Sequence, residues 1–158
     1  GIGTMTYYDP ESGSFGALGH GITDVDTAQL MSLGSGSIME TTVKAVKKGE
    51  KGDPGELKGD FTVQRDVGTV TVNSDGGIFG TVSDASFPAQ GEAVPVASAD
   101  EVTTGRAVIR TTVCGDEIRE YEVQIVKVYR DEDSTRNLLL RITDPELLQT
   151  TGGIVQGM

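Results

Sequence analysis

The stretch Ala107-Val108-Ile109-Arg110-Thr111-Thr112-Val113-Cys114-Gly115-Asp116-Glu117-Ile118-Arg119-Glu120-Tyr121-Glu122-Val123-Gln124-Ile125-Val126-Lys127-Val128-Tyr129 reads as a β-hairpin. Two arms rich in β-branched residues, 107–113 and 118–129, flank a Cys-Gly-Asp turn. In the second arm Ile118, Tyr121, Val123, Ile125 and one of Val126 or Val128 compete for the inward face. The same texture continues outward. Met5-Thr6-Tyr7-Tyr8 is β-prone and runs into the turn Asp9-Pro10-Glu11-Ser12-Gly13, with a returning strand at 15–18. Residues 37–46 predict a strand region, and 47–55 (KKGEKGDPG) a charged loop.

Phe61, Val63, Val67, Val70 and Val72 alternate around Gly68, which predicts a long strand with a bulge or turn at the glycine. Ser74-Asp75-Gly76-Gly77 reads as a turn, and 78–82 and 93–97 as short strands, the second made irregular or edge-bound by Pro95. Beyond a polar loop at 131–137, Leu138-Leu139-Leu140-Arg141-Ile142 predicts a buried strand. Pro145-Glu146-Leu147-Leu148 predicts one helical turn, with Asp144 as N-cap and Pro145 at the first helical position. Many short strands between turns argue for an all-β barrel or sandwich. No repeat, heptad pattern or phosphate-binding glycine loop interrupts that reading.

Composition narrows the function classes. The chain has 158 residues, enough to bury a core, with 22 Gly and no Trp. A net charge of −11 repels phosphate backbones, so nucleic acid is not expected as a partner. One cysteine, Cys114, permits no intrachain disulfide, and one Cys with one His is too few ligands for a metal or redox site. No metal or cofactor is expected. No apolar run is long enough to span a membrane. The opening residues already read as a strand and the last seven stop without a closing element, which predicts a piece of a longer polypeptide.

His20, the single histidine, follows a short apolar strand and lies between Gly19 and Gly21. Glycine neighbours leave the ring unblocked, which suits a general base at the rim of a cleft. A histidine without a role is the competing reading. For Asp144 the competing reading is the helix cap alone. Asp24 and Asp26 are nearer to His20 in sequence and are the alternative carboxylates, unless they are simple loop residues.

Gly16-Ala17-Leu18-Gly19-His20, Gly77-Ile78-Phe79-Gly80-Thr81, Ile142-Thr143-Asp144-Pro145 and Gly152-Gly153-Ile154-Val155-Gln156-Gly157-Met158 together resemble the peptidase domain of the stage IV sporulation protein B family. The resemblance spans nearly the whole chain, and its last string is the most specific. It implies one serine peptidase domain over 1–158, all-β and built as a chymotrypsin-like double β-barrel, the second barrel incomplete in this chain. In the family the last string is followed at once by the nucleophilic serine, so the chain would stop one residue short of it and be inactive alone. His20 would be the general base, Asp144 the carboxylate that orients it, and the Gly157 N–H an oxyanion-hole donor.

The resemblance further implies a signalling endopeptidase secreted into the space between the forespore and mother-cell membranes. It would cleave itself and a regulator of an intramembrane protease, and so activate a late mother-cell sigma factor. A membrane anchor and a PDZ domain would precede this region. The alternative is a non-catalytic β-barrel interaction module derived from such a protease. A glycan-binding sandwich is disfavoured, because sugar stacking draws on exposed aromatics and Trp is absent.

Overall fold

A computed structural model describes residues 1–60, 65–84, 86–87, 92–134 and 136–158. The chain is mostly β, with ten strands and a single short helix among the described residues. They fall into two compact units. The first holds residues 1–42 and 60–91 with Gly157, and the second holds 43–59 and 92–156 with Met158.

The first unit is a five-stranded antiparallel sheet. Its strands are β1 (Met5–Tyr8), β2 (Ser14–Ala17), β3 (Gly36–Met39), β6 (Asp66–Ser74) and β7 (Gly77–Val82), in the order β1-β2-β7-β6-β3. The Asp-Pro-Glu-Ser-Gly turn joins β1 to β2 as predicted; Asp9 accepts the Glu11 N–H at 3.0 Å and the Ser12 hydroxyl at 2.6 Å, and Gly13 turns with φ +71°. Phe15, Ala17, Val70 and Ile78 form its buried core, with Met5, Leu18, Ile38 and Val82 packed around them. The predicted strand at 61–72 is realised from Asp66 onward; residues 61–64 lie outside the described residues. Its register shifts twice: to β3 between Gly68 and Asp66, beside the glycine as predicted, and to β7 between Val70 and Val72. Gly68 is also required for a close approach: a Cβ there would collide with the Thr81 carbonyl oxygen.

The second unit holds all but the first residue of β4 (Thr42–Lys47), paired with all but the last residue of β5 (Glu56–Asp60), and a three-stranded antiparallel sheet, β10-β9-β8, from β8 (Gly105–Thr111), β9 (Arg119–Val128) and β10 (Leu138–Ile142). The hairpin expected at 107–129 is β8–β9, with Thr111 opposite Arg119 across a longer connection than the Cys-Gly-Asp turn. Tyr121 and Val123 win the inward face, and Ile118 is exposed. Helix α1 (Pro145–Thr151) follows β10, two residues removed.

Three expectations need correction. The single strand region at 37–46 is two strands, β3 and β4, broken at Glu40 and Thr41. Residues 93–97 form no strand: Pro95 supplies no N–H for a ladder, and Val94 and Val96 are exposed. The strand β10 exists, but Leu138, Leu139 and Leu140 are exposed, because β10 is the edge of its sheet. All-β architecture and an incomplete barrel are what the chain has; among the described residues no sheet closes.

Candidate active site

Register delivers His20 to its surroundings. Ala17 pairs with Ile78, and β6 and β7 meet at the Ser74–Gly77 pair, so chain leaving β2 runs toward the β6–β7 turn. Leu18 then adopts φ +61°, a left-handed conformation that a branched residue seldom takes. Its side chain packs against the sheet core, which offsets the strain. The turn at Leu18 and Gly19 leaves His20 exposed, just outside the sheet.

Nδ1 of His20 lies 2.9 Å from the carbonyl oxygen of Gly21. A carbonyl only accepts, so Nδ1 carries the proton. In the neutral ring Nε2 is then the lone-pair nitrogen, and among the described residues it has no hydrogen-bond partner. That is the tautomer a general base needs to take a proton through Nε2. Gly21 itself is buried, and a Cβ on it would stand 2.5 Å from the Ser74 carbonyl oxygen and 2.2 Å from Leu30 Cδ1. Only glycine lets the chain pass this close to the end of β6.

The loop after Gly21 folds back on itself. Met31 N–H donates to the Ile22 carbonyl at 2.9 Å, and Thr23 bridges Leu30. Asn73, next to last in β6, ties both arms down. Its Oδ1 accepts the Ile22 N–H at 2.8 Å, and its Nδ2 donates to the carbonyls of Ile22 at 3.0 Å and Met31 at 2.9 Å. Asp24 closes the loop tip. Its Oδ1 accepts the N–H groups of Thr27 at 2.9 Å and Asp26 at 3.1 Å, and the Thr27 hydroxyl at 2.9 Å. The Thr27 backbone and hydroxyl bonds, with the Asp26 amide, hold the Asp24 carboxyl below the ordinary carboxylate range. Asp24 thus serves its own turn, and neither Asp24 nor Asp26 pairs with the His20 ring.

Asp144 lies in the second unit, between β10 and α1. Its backbone is extended, φ −68° and ψ 120°, and its Oδ1 accepts the Leu147 N–H at 3.0 Å as the N-cap of α1. Pro145 takes the first helical position, and Gly152 ends the helix at φ +74°, so the predicted turn becomes a full capped helix. Capping occupies one carboxylate oxygen; Oδ2 has no hydrogen-bond partner among the described residues. Gly157 has φ +98°, and its carbonyl accepts the Thr4 hydroxyl at 2.8 Å. Its N–H has no acceptor among the described residues.

The model of the family described as SpoIVB peptidase S55 matches residues 1–158. The chain belongs to that family. No curated protein and no solved structure matches it. As a SpoIVB-type peptidase the chain is part of a serine peptidase family whose substrates are proteins. Among the described residues no helix is long and apolar enough to cross a membrane.

Reading the sequence of this SpoIVB-type chain missed Asn73 and Thr4. Thr4 carries no local signal, since its partner Gly157 is 153 positions away. Asn73 did carry one. It sits inside a run of valines and threonines, where an amide is a poor strand former unless it has a bonding task.

Proposed function

We propose that His20, Asp144 and the serine that the resemblance places directly after Met158 form a catalytic triad hydrolysing peptide bonds through an acyl-enzyme. His20 Nε2 takes the serine proton as the oxygen attacks the scissile carbonyl. The protonated ring then passes that proton to the departing amine, and a water activated by the same nitrogen releases the acyl group. Asp144 Oδ2, left open by the helix cap, shares the Nδ1–H of the ring with the Gly21 carbonyl and stabilises the ring's cation. The Gly157 N–H, two residues before that serine, donates to the oxyanion. The observation that carries this reading is the family match over 1–158. The Nδ1–H tautomer of His20 supports it.

The substrates proposed are the protein itself and a regulator of an intramembrane protease, in the space between forespore and mother-cell membranes. Cleavage there leads to activation of a late mother-cell sigma factor. The test is expression of the whole-length protein with His20→Ala and Asp144→Asn, followed by gel analysis of self-cleavage and circular dichroism. Both variants are expected to keep the fold and lose processing. Processing of His20→Ala at the parent rate would remove the protease mechanism and leave a binding module.

A further inference from the structure

We propose that Asn73 is the positioning residue for His20: its side-chain amide fixes the Gly21–Ile22 peptide, whose carbonyl oxygen holds the imidazole in the Nδ1–H tautomer with Nε2 free. The inference rests on the reading of His20 as the general base. Its geometry lies wholly within the first unit.

The Gly21 carbonyl and the Ile22 N–H belong to one peptide group. That group is planar and trans, so its C=O and N–H point in opposite directions. The N–H end is held by Asn73 Oδ1 at 2.8 Å, and the oxygen end meets His20 Nδ1 at 2.9 Å. Fixing one end of a rigid plane fixes the other. A single hydrogen bond would still let the plane swing about its axis. Asn73 removes that freedom by also donating Nδ2 to the carbonyl of Ile22, on the far side of the same residue, and to Met31 across the loop. Residue 22 is therefore gripped through both its N–H and its C=O, as a neighbouring strand would grip it.

The task selects the residue type. Only a side-chain amide offers an acceptor and two donors on one planar group. An Asp at position 73 would keep the bond from the Ile22 N–H but set a charge against two carbonyl oxygens. Gly21 completes the arrangement, because its missing side chain lets the peptide lie within reach of Asn73. A Cβ there would stand 3.1 Å from Oδ1. Thr71, two residues earlier on β6, makes only a 3.3 Å bond to the Phe79 carbonyl and provides a same-strand control.

His20 is the one histidine of the chain, so its ring nitrogens give an unambiguous nitrogen-15 NMR signal in the 158-residue protein. The parent and Thr71→Ala are expected to show the Nδ1–H tautomer. Asn73→Ala is expected to show a mixture in which Nε2–H is populated. In the whole-length protein, Asn73→Ala is expected to lower kcat on a peptide substrate by roughly ten- to a hundredfold with KM unchanged. Should Asn73→Ala fail to fold by circular dichroism, Asn73→Asp gives the same readings, since it retains one of the three bonds. An unchanged tautomer in the Asn73 variant overturns the proposal whatever the rate does. A changed tautomer with kcat at the parent value overturns it too. Activity of His20→Ala at the parent rate would instead refute the protease reading, and the NMR result would still decide whether Asn73 orients the ring.

Discussion

Asp144 Oδ1 accepts the Leu147 N–H at 3.0 Å, so the carboxylate proposed to orient the base is also the N-cap of the only helix among the described residues. The two tasks separate under substitution. Asn caps about as well as Asp, whereas Ala removes the cap at a cost of about 0.5–2 kcal/mol. Asp144→Asn is expected to unfold at nearly the parent denaturant midpoint, and Asp144→Ala measurably below it. Both are expected to lose peptide hydrolysis in the whole-length protein, by roughly 10⁴-fold for the Asn variant if the triad holds. Full activity in Asp144→Asn would reduce this residue to a cap.

Leu147 is fully buried and anchors α1 to the second unit. Truncation leaves a cavity that the short helix cannot close. Leu147→Ala is expected to lower unfolding free energy by about 2–5 kcal/mol in a urea titration. Exposed Leu148 on the same turn is the control, with Leu148→Ala within about 0.5 kcal/mol of the parent.

Gly21→Ala places a Cβ 2.5 Å from the Ser74 carbonyl oxygen, which is backbone and yields little. A cost of about 1–3 kcal/mol is expected. Amide hydrogen exchange is expected to rise in residues 21–31 and to stay at the parent level in β8 and β9. Gly19→Ala meets open space and is expected to leave exchange in the loop unchanged.

Asp24 has its carboxyl lowered by bonds from Thr27 and Asp26. Its folded value lies below its unfolded value, near 3.9, so its contribution to the loop is present above that value. The contribution is lost as pH falls through the folded value. A carbon-13 titration of the Asp24 carboxyl is expected to give a midpoint below the ordinary one, with the Thr27 amide shifting in step. A midpoint at or above the ordinary value would show that the Asp24 turn does not form.

Much of the architecture was legible because it rests on local rules. Turn residues at 9–13 and 74–77 and valine alternation through Val72 place the β1–β2 and β6–β7 hairpins. Asp144-Pro145 announces the helix start through capping chemistry alone. Burial was less legible. Leu138 to Leu140 read as interior by hydrophobicity, yet sheet order makes β10 an edge, and order depends on pairings that no local pattern encodes.

The sequence by itself determined the all-β class, the capped helix and, through its specific strings, membership of a serine peptidase family with His20 as the candidate base. Those follow from spacing and residue chemistry along the chain. Only the tertiary structure decided which groups hold His20. The ring meets the carbonyl of its own neighbour, and Asn73, fifty-one residues beyond Ile22, fixes that carbonyl's peptide. Such a contact is written in strand register, since the pairing of Ala17 with Ile78 is what carries the His20 loop to the end of β6.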